Sequence, residues 1–134
     1  MSDLNQRIFE REWLGKILGI EFQELTPNRV VATMPITPAH HQPYGYLHGG
    51  ASVALAESVA SVGGALNCQP GKGVVGLEIN ANHLRAMTQG TVTGTARPLH
   101  VGRSTQVWEI RIEDEARRPV CVSRLTLAMR YSKK

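Results

Sequence analysis

Cysteine is scarce in this chain of 134 residues. Its two cysteines, Cys68 and Cys121, show no metal-binding spacing and cannot form the disulfide framework of a small secreted protein. The histidines, cysteines and aspartates likewise form no cluster with the spacing of metal ligands. We therefore expect a reduced, cytoplasmic protein without a metal site.

Long apolar runs and secretion signals are also lacking. The first residues, M-S-D-L-N-Q-R-I-F-E-R-E, are charged and contain no apolar signal core. No run approaches the length that a membrane-spanning helix requires. The sequence therefore predicts no membrane partner.

Aromatic residues make up only 5% of the chain and charged residues 19%, whereas hydrophobic residues make up 42%. The hydrophobic share excludes disorder, and the length predicts one domain over residues 1–134 with a substantial core. The formal charge of +4 favours an anionic partner. Because the arginines are dispersed and aromatic side chains are few, we expect no nucleic-acid partner.

One long stretch of small and apolar residues, at positions 42–61, organises the chain. Its second half predicts a helix over Gly49–Leu66. At 3.6 residues per turn, one face of this helix is apolar, and the opposite face holds small residues with one carboxylate and one hydroxyl. The apolar face carries Leu55, Val59, Val62 and Leu66, and the small face carries Gly50, Ala54, Glu57, Ser61 and Gly64.

The small face is nearly uncharged, which indicates that another surface covers it, since exposed helix faces usually carry several charges. The lone carboxylate of Glu57 is costly on a covered face unless it is paired or has a catalytic role. An ion pair with a distant arginine, or simple exposure, explains this residue as well as catalysis does at this point.

The rest of the chain is predicted to form mostly strands. A short amphipathic helix is expected over 4–18, weakened by Gly15 and ended near Gly19. Strands are expected at 20–25, 29–36, 74–84, 91–100, 104–113 and 120–131. Four consecutive strands with short turns favour an antiparallel sheet with one face covered by the long helix, an α+β domain. One helix cannot cover so much apolar surface, so dimerisation is expected.

Three motifs indicate which family with such a fold the chain resembles. They are Q-P-Y-G-Y-L-H-G-G-A-S-V-A-L-A-E-S, V-G-L-E-I-N-A-N-H-L-R and R-P-L-H-V-G-R-S-T-Q-V-W-E-I. In these motifs the chain resembles the hotdog-fold acyl-CoA thioesterases of the phenylacetate and 4-hydroxybenzoyl-CoA branch, over about residues 19–129. It is most similar there to the 1,4-dihydroxy-2-naphthoyl-CoA thioesterases of menaquinone biosynthesis. A sister group, the proofreading thioesterases of enterobactin synthesis, shares much of the sequence of these motifs. The resemblance implies an antiparallel sheet wrapped around one central helix.

Gly49 and Gly50 open the predicted helix, so their N–H groups are expected to be free at the positive end of its dipole, where an oxyanion would be stabilised. The same glycines also suit a plain loop-to-helix transition. The resemblance implies that Glu57 is the catalytic carboxylate, either as nucleophile or as the base that activates water. It also places Gln42 and His48 at the thioester, although His48 also suits a helix cap.

Other candidates have two interpretations each. Ser61 either orients water or the carboxylate, or packs as a small residue. His83 either contacts the acyl group or coenzyme A, or is a structural hydrogen-bonder. Arg85, Arg103 and Ser104 either bind coenzyme A phosphates or are ordinary surface residues. Coenzyme A is part of the substrate, so no cofactor is expected, and the chain lacks the G-x-S-x-G motif of a serine nucleophile.

Three functions fit these observations: an aromatic acyl-CoA thioesterase, a thioesterase that clears mischarged aryl groups from a carrier protein, and a non-catalytic acyl-CoA-binding domain. The joint presence of Glu57, Gln42, His48 and Gly49 favours an enzyme. Gly49 and Glu57 are eight residues apart, or about 12 Å along a helix, too far for one thioester to contact both. We therefore predict an antiparallel homodimer with shared sites, within a dimer of dimers.

Overall fold

The computed structural model describes residues 10–131, which form one six-stranded antiparallel sheet with one long helix on one face. This is the expected α+β arrangement. The elements are α1 (Leu14–Leu18), β1 (Glu21–Thr26), β2 (Arg29–Ile36), a 3-10 turn (Pro38–His40), α2 (Gly49–Leu66), β3 (Lys72–His83), β4 (Gly90–Val101), β5 (Thr105–Glu113) and β6 (Pro119–Tyr131).

The N-terminal helix differs from the prediction. Trp13 is extended, with φ −158° and ψ 165°, and α1 begins only after it. The helix ends as predicted at Gly19, which takes the left-handed conformation with φ 76°. A continuous helix is therefore wrong for this segment, because the Trp13 ring folds over Gly15, where any Cβ would collide with it. Residues 1–9 lie outside the described residues.

The strands are ordered β1-β2-β4-β5-β6-β3, so the last four strands do not follow one another in space. Instead of pairing with β4, β3 pairs with β6 along its whole length, from Lys72 opposite Tyr131 to His83 opposite Cys121. Segment 84–89 then carries the chain back across the sheet to β4. As a result β3 is a 12-residue edge strand with no neighbour on its other side among residues 10–131.

Helix α2 packs its apolar face on the sheet, with Leu55 and Val59 completely buried. Val62 and Leu66, predicted for the same face, are only half-buried at the margin of the core. The assignment of Gly64 to the outer face is wrong, since it is buried against the side chains of Leu127 and Gln106. Because Gly63 and Gly64 have no side chains, they let the helix lie close to the sheet.

By length and composition alone, α2 would suffice to span a membrane, with 18 residues and a mean hydropathy of 1.2. The expectation that no run approaches that length is therefore wrong. A core helix packed on a sheet meets the same criteria, so this feature is weak evidence for a membrane.

Candidate active site

The loop before α2 orients the side chain of Gln42. Its Oε1 accepts hydrogen bonds from the N–H groups of Tyr44 (2.5 Å) and Tyr46 (3.3 Å). Because both partners are donors, the amide oxygen must face the turn and the NH₂ group faces away from it. This NH₂ group has no acceptor among residues 10–131, so it is available to donate to a ligand.

Gln42 lines a groove of about 420 Å³ together with Gly49, Ser52, His83 and Arg85, and we call it the loop groove. The imidazole of His83 lies against the start of α2, with its Nε2 2.9 Å from the point that a Cβ on Gly49 would occupy. A side chain at position 49 would therefore have to displace the His83 ring from the helix start. The His83 ring has no hydrogen-bond partner among the described residues, which argues against the purely structural interpretation.

The first turn of α2 leaves one N–H group free. His48 is the N-cap, and its Nδ1 accepts a hydrogen bond of 2.8 Å from the N–H of Gly50. The expectation that the Gly50 N–H is free is therefore wrong. The N–H of Gly49 has no acceptor within residues 10–131 and lies at the positive end of the helix.

His48 can serve both as a cap and as a donor. With Nδ1 accepting a bond, the neutral ring carries its proton on Nε2. The side chain belongs to an exposed residue and does not line the loop groove. The two interpretations of this histidine are thus compatible with each other.

A second groove, of about 560 Å³, runs along the outer face of α2, and we call it the helix groove. It is lined by Glu57, Ser58, Ser61 and Val62 of the helix and by Arg11, Glu12 and Trp13 of the preceding segment. Glu57 is half-buried, and its Oε2 is 2.6 Å from the point that a Cβ on Gly76 of β3 would occupy.

The carboxylate of Glu57 has neither a hydrogen bond nor an ion pair with any described residue. The interpretation as an ion pair with a distant arginine is therefore wrong within residues 10–131. The two nearby serines differ in availability, since the hydroxyl of Ser58 donates to the carbonyl of Ala54 (2.6 Å). The hydroxyl of Ser61 has no partner in the described part of the chain, so it is free to act beside Glu57.

The predicted coenzyme A residues lie at opposite ends of α2. Arg85 is exposed and lines the loop groove at the helix start. Arg103 and Ser104 are exposed in the β4–β5 turn, just before Gln106, whose Nε2 donates to the carbonyl of Gly64 (3.1 Å) near the helix end. A single chain therefore does not bring the three candidates together.

One concavity contains no predicted site residue. It measures about 710 Å³ and lies on the sheet face opposite α2, lined largely by arginines and acids. Its β4 and β5 residues, such as Thr95 and Arg111, alternate with buried residues that face the helix. We attach no catalytic role to it.

Thiol and metal chemistry find no support in the described residues. Burial raises the pKa of Cys68 and of Cys121, so both thiols stay protonated and neither is an activated nucleophile. No group of three or more histidine, cysteine or acidic side chains in residues 10–131 is arranged to hold a metal ion.

Several residues at the site were not predicted from the sequence, namely the lining residues Trp13, Tyr46 and Ser52, and Gly76 beside the Glu57 carboxylate. Of these, Tyr46 stands inside the first motif and could have been included on that basis. Trp13 and Gly76 are distant in sequence from Glu57, and only the tertiary fold brings them to it.

Residues 44–121 match the family model described as "Thioesterase superfamily". The chain belongs to the thioesterase superfamily. It is 48% identical over 121 residues to the 1,4-dihydroxy-2-naphthoyl-CoA hydrolase of Listeria monocytogenes, covering 90% of this chain and 98% of that protein. It is 52% identical over 112 residues to the proofreading thioesterase EntH of Cronobacter turicensis, covering 84% and 82%.

The structure agrees with this assignment. The crystal structure of thioesterase HI1161 from Haemophilus influenzae superposes with a TM-score of 0.89 at 46% identity, covering 96% of this chain and 89% of that one. The predicted hotdog fold and the resemblance to acyl-CoA thioesterases are thereby confirmed.

Proposed function

We propose that this thioesterase hydrolyses aromatic acyl-CoA esters to the free acid and coenzyme A, with 1,4-dihydroxy-2-naphthoyl-CoA of menaquinone biosynthesis as the leading substrate. The observation that carries the proposal is the carboxylate of Glu57, half-buried in a groove and unpaired among the described residues. Such a group is available for chemistry on a bound ester. The name of the Listeria relative supports this acyl group.

The reaction breaks the C–S bond of the thioester and forms a C–O bond to water, and the thiolate leaves as protonated coenzyme A. Glu57 either removes a proton from the attacking water or attacks the carbonyl itself, forming an anhydride that water then cleaves. The Gly49 N–H and the Gln42 NH₂ group are the donors suited to the developing oxyanion. Hydrolysis in H₂¹⁸O under single turnover tests direct attack, since label enters Glu57 only when water cleaves an anhydride at the Glu57 carbonyl.

The position of these groups along β3 supports a site shared between two subunits. Gly49 contacts His83 near one end of the strand, whereas Glu57 contacts Gly76, seven residues away. Antiparallel pairing of β3 with β3 of a second copy, centred near residues 79–80, would bring Gly76 of one chain opposite His83 of the other. Each thioester would then contact Gly49 of one subunit and Glu57 of its partner.

The surface of β3 supports such pairing. Its outer edge has no neighbour among the described residues, and long open edges tend to pair with another strand. Val75 and Leu77 on this strand are 46% and 60% exposed, which is high for apolar residues. The same symmetry would carry the β4–β5 turn of one copy, with Arg103 and Ser104, toward Arg85 of the other, uniting the candidate phosphate contacts.

A second candidate is the clearance of mischarged aryl groups from a carrier protein. It is favoured by the 52% identity to a relative named as a proofreading thioesterase. Both activities require the same ester chemistry and differ in what holds the pantetheine arm. Kinetics on one acyl group carried by coenzyme A and by a carrier protein would distinguish them.

The test is thiol release from a panel of benzoyl-, phenylacetyl-, 1,4-dihydroxy-2-naphthoyl- and straight-chain acyl-CoA esters. We expect kcat/KM to be highest for the aromatic esters. A protein that prefers straight-chain esters would contradict the proposed substrate class, and one that releases no thiol from any ester would contradict the proposed activity.

A further inference from the structure

The helix groove has one aromatic wall, the indole of Trp13. The ring lies over the backbone of Gly15, in space that a Cβ at that position would need. It also stacks on Phe22 of β1, with ring centroids 6.2 Å apart and an angle of 21° between the planes. These contacts fix the ring, while the residue is only half-buried and its remaining surface lines the groove.

The helix groove suits the acyl end of a substrate better than the coenzyme A end. The thioester carbonyl must reach Glu57, which lines this groove. The arginines considered for phosphate binding, Arg85 and Arg103, do not line it. With its carbonyl at Glu57, the acyl group would extend along the helix, past Val62 and Trp13.

We propose that Trp13 is a specificity-determining residue, on whose indole face an aromatic acyl group stacks. The inference rests on the proposed thioesterase function and adds to it the residue that selects aryl over straight-chain acyl groups. An aryl ring gains stacking as well as apolar contact with a fixed indole, whereas an alkyl chain gains contact alone.

The kinetic test compares kcat/KM for benzoyl-CoA and hexanoyl-CoA in the wild type, Trp13→Leu and Trp13→Phe. Trp13→Leu should lower the benzoyl-to-hexanoyl ratio about threefold to tenfold, in the range of one aromatic pair, and Trp13→Phe should retain most of it. The matched control is Ile17→Ala, which changes a residue of α1 that is 76% exposed and does not line the groove. Equal losses on both esters in Trp13→Leu would mean a structural role and would overturn the inference.

A binding measurement keeps the inference testable if Trp13→Leu folds poorly. The chain has two tryptophans, and the other, Trp108, is completely buried. Benzoate should change the tryptophan emission of the wild type more than hexanoate does, and Trp13→Phe should abolish the difference. No such difference in the wild type would overturn the inference. Because this readout needs no turnover, it remains valid if thiol release fails and the proposed activity itself is wrong.

Discussion

At the scale of single residues, the candidate site is distinguished by polar groups that lack partners among the described residues. Most buried polar groups in a folded protein are hydrogen-bonded, and Gly49, Gln42 and Glu57 are all half-buried. A free N–H, a free amide and a free carboxylate on these residues are therefore informative together. None of these three groups makes a hydrogen bond or an ion pair that would give it a structural role in the described residues. We infer that substrate supplies their partners.

The first prediction concerns the carboxylate. Glu57→Ala should lower kcat by at least about 10²-fold, as expected for a positioned acid–base group. The fold should persist, because no described partner is lost. Steady-state kinetics, circular dichroism and size-exclusion chromatography measure these outcomes, with Glu109→Ala on the opposite sheet face as control. A variant with near wild-type turnover would eliminate Glu57 from the mechanism.

A second prediction concerns stability and pH. The backbone N–H of Arg118 holds the pKa of Asp114 below its ordinary value of 3.8, helped by the guanidinium of the same residue, although burial acts in the opposite direction. A lowered pKa means that the ionised form stabilises the fold above pH 3.8 and that this contribution is lost as pH falls through the folded-state pKa.

Asp114→Asn should therefore lower the urea midpoint at pH 7, and the difference from wild type should shrink progressively below pH 3.8. Urea titrations across this range make the comparison, with the exposed Glu109→Gln as control. If the difference stays constant with pH, the stabilisation does not come from the charge of Asp114.

Sequence motifs could identify Gln42, His48, Gly49 and Glu57 because they lie within one continuous stretch. They could not assign the N–H of Gly50, because its acceptor depends on the rotamer of His48. They also missed Trp13, whose approach to Glu57 depends on a backbone extended just before α1.

At the scale of elements, helix α2 matched its predicted bounds because its glycine start and its periodicity are local signals. The strand order did not follow from the sequence. Local alternation reveals a strand but not its neighbour, and only the crossover at 84–89 places β3 beside β6. Likewise, the buried position of Gly64 depends on Gln106 and Leu127, which are remote in the chain.

The β4–β5 turn supports a third prediction. Arg103 is exposed and has no ion-pair partner in residues 10–131, so it is available to a phosphate. Arg103→Glu should raise KM for coenzyme A esters several-fold with little loss of kcat, because a remote phosphate contact stabilises ground and transition states alike. N-acetylcysteamine thioesters, which lack the nucleotide, should be unaffected.

Arg97→Glu is the matched control, since it makes the same change of charge on the outer sheet face. An equal rise of KM in both variants would mean that the effect comes from the change in net charge and not from a contact made by Arg103. An equal loss on the truncated thioester would remove Arg103 from the nucleotide site.

At the scale of the whole molecule, one chain holds the candidate site residues in two separate grooves. Gln42 and Gly49 line the loop groove, and Glu57 lines the helix groove. Their separation along α2, about 12 Å between residues 49 and 57, exceeds the reach of one thioester carbonyl. A two-fold axis beside β3 would unite the halves and form two equivalent sites.

Complementation tests this arrangement directly. Glu57→Ala protein and Gln42→Ala/His48→Ala protein should each be nearly inactive, since every site in each homodimer lacks one half. After reversible dissociation and mixing, heterodimers should contain one wild-type site and one site with both defects. Random reassociation makes about half of the dimers heterodimers, so the mixture should recover roughly a quarter of wild-type activity. Affinity tags on the two variants confirm that mixed dimers form, and mixed dimers without activity would mean that each site is built from one chain.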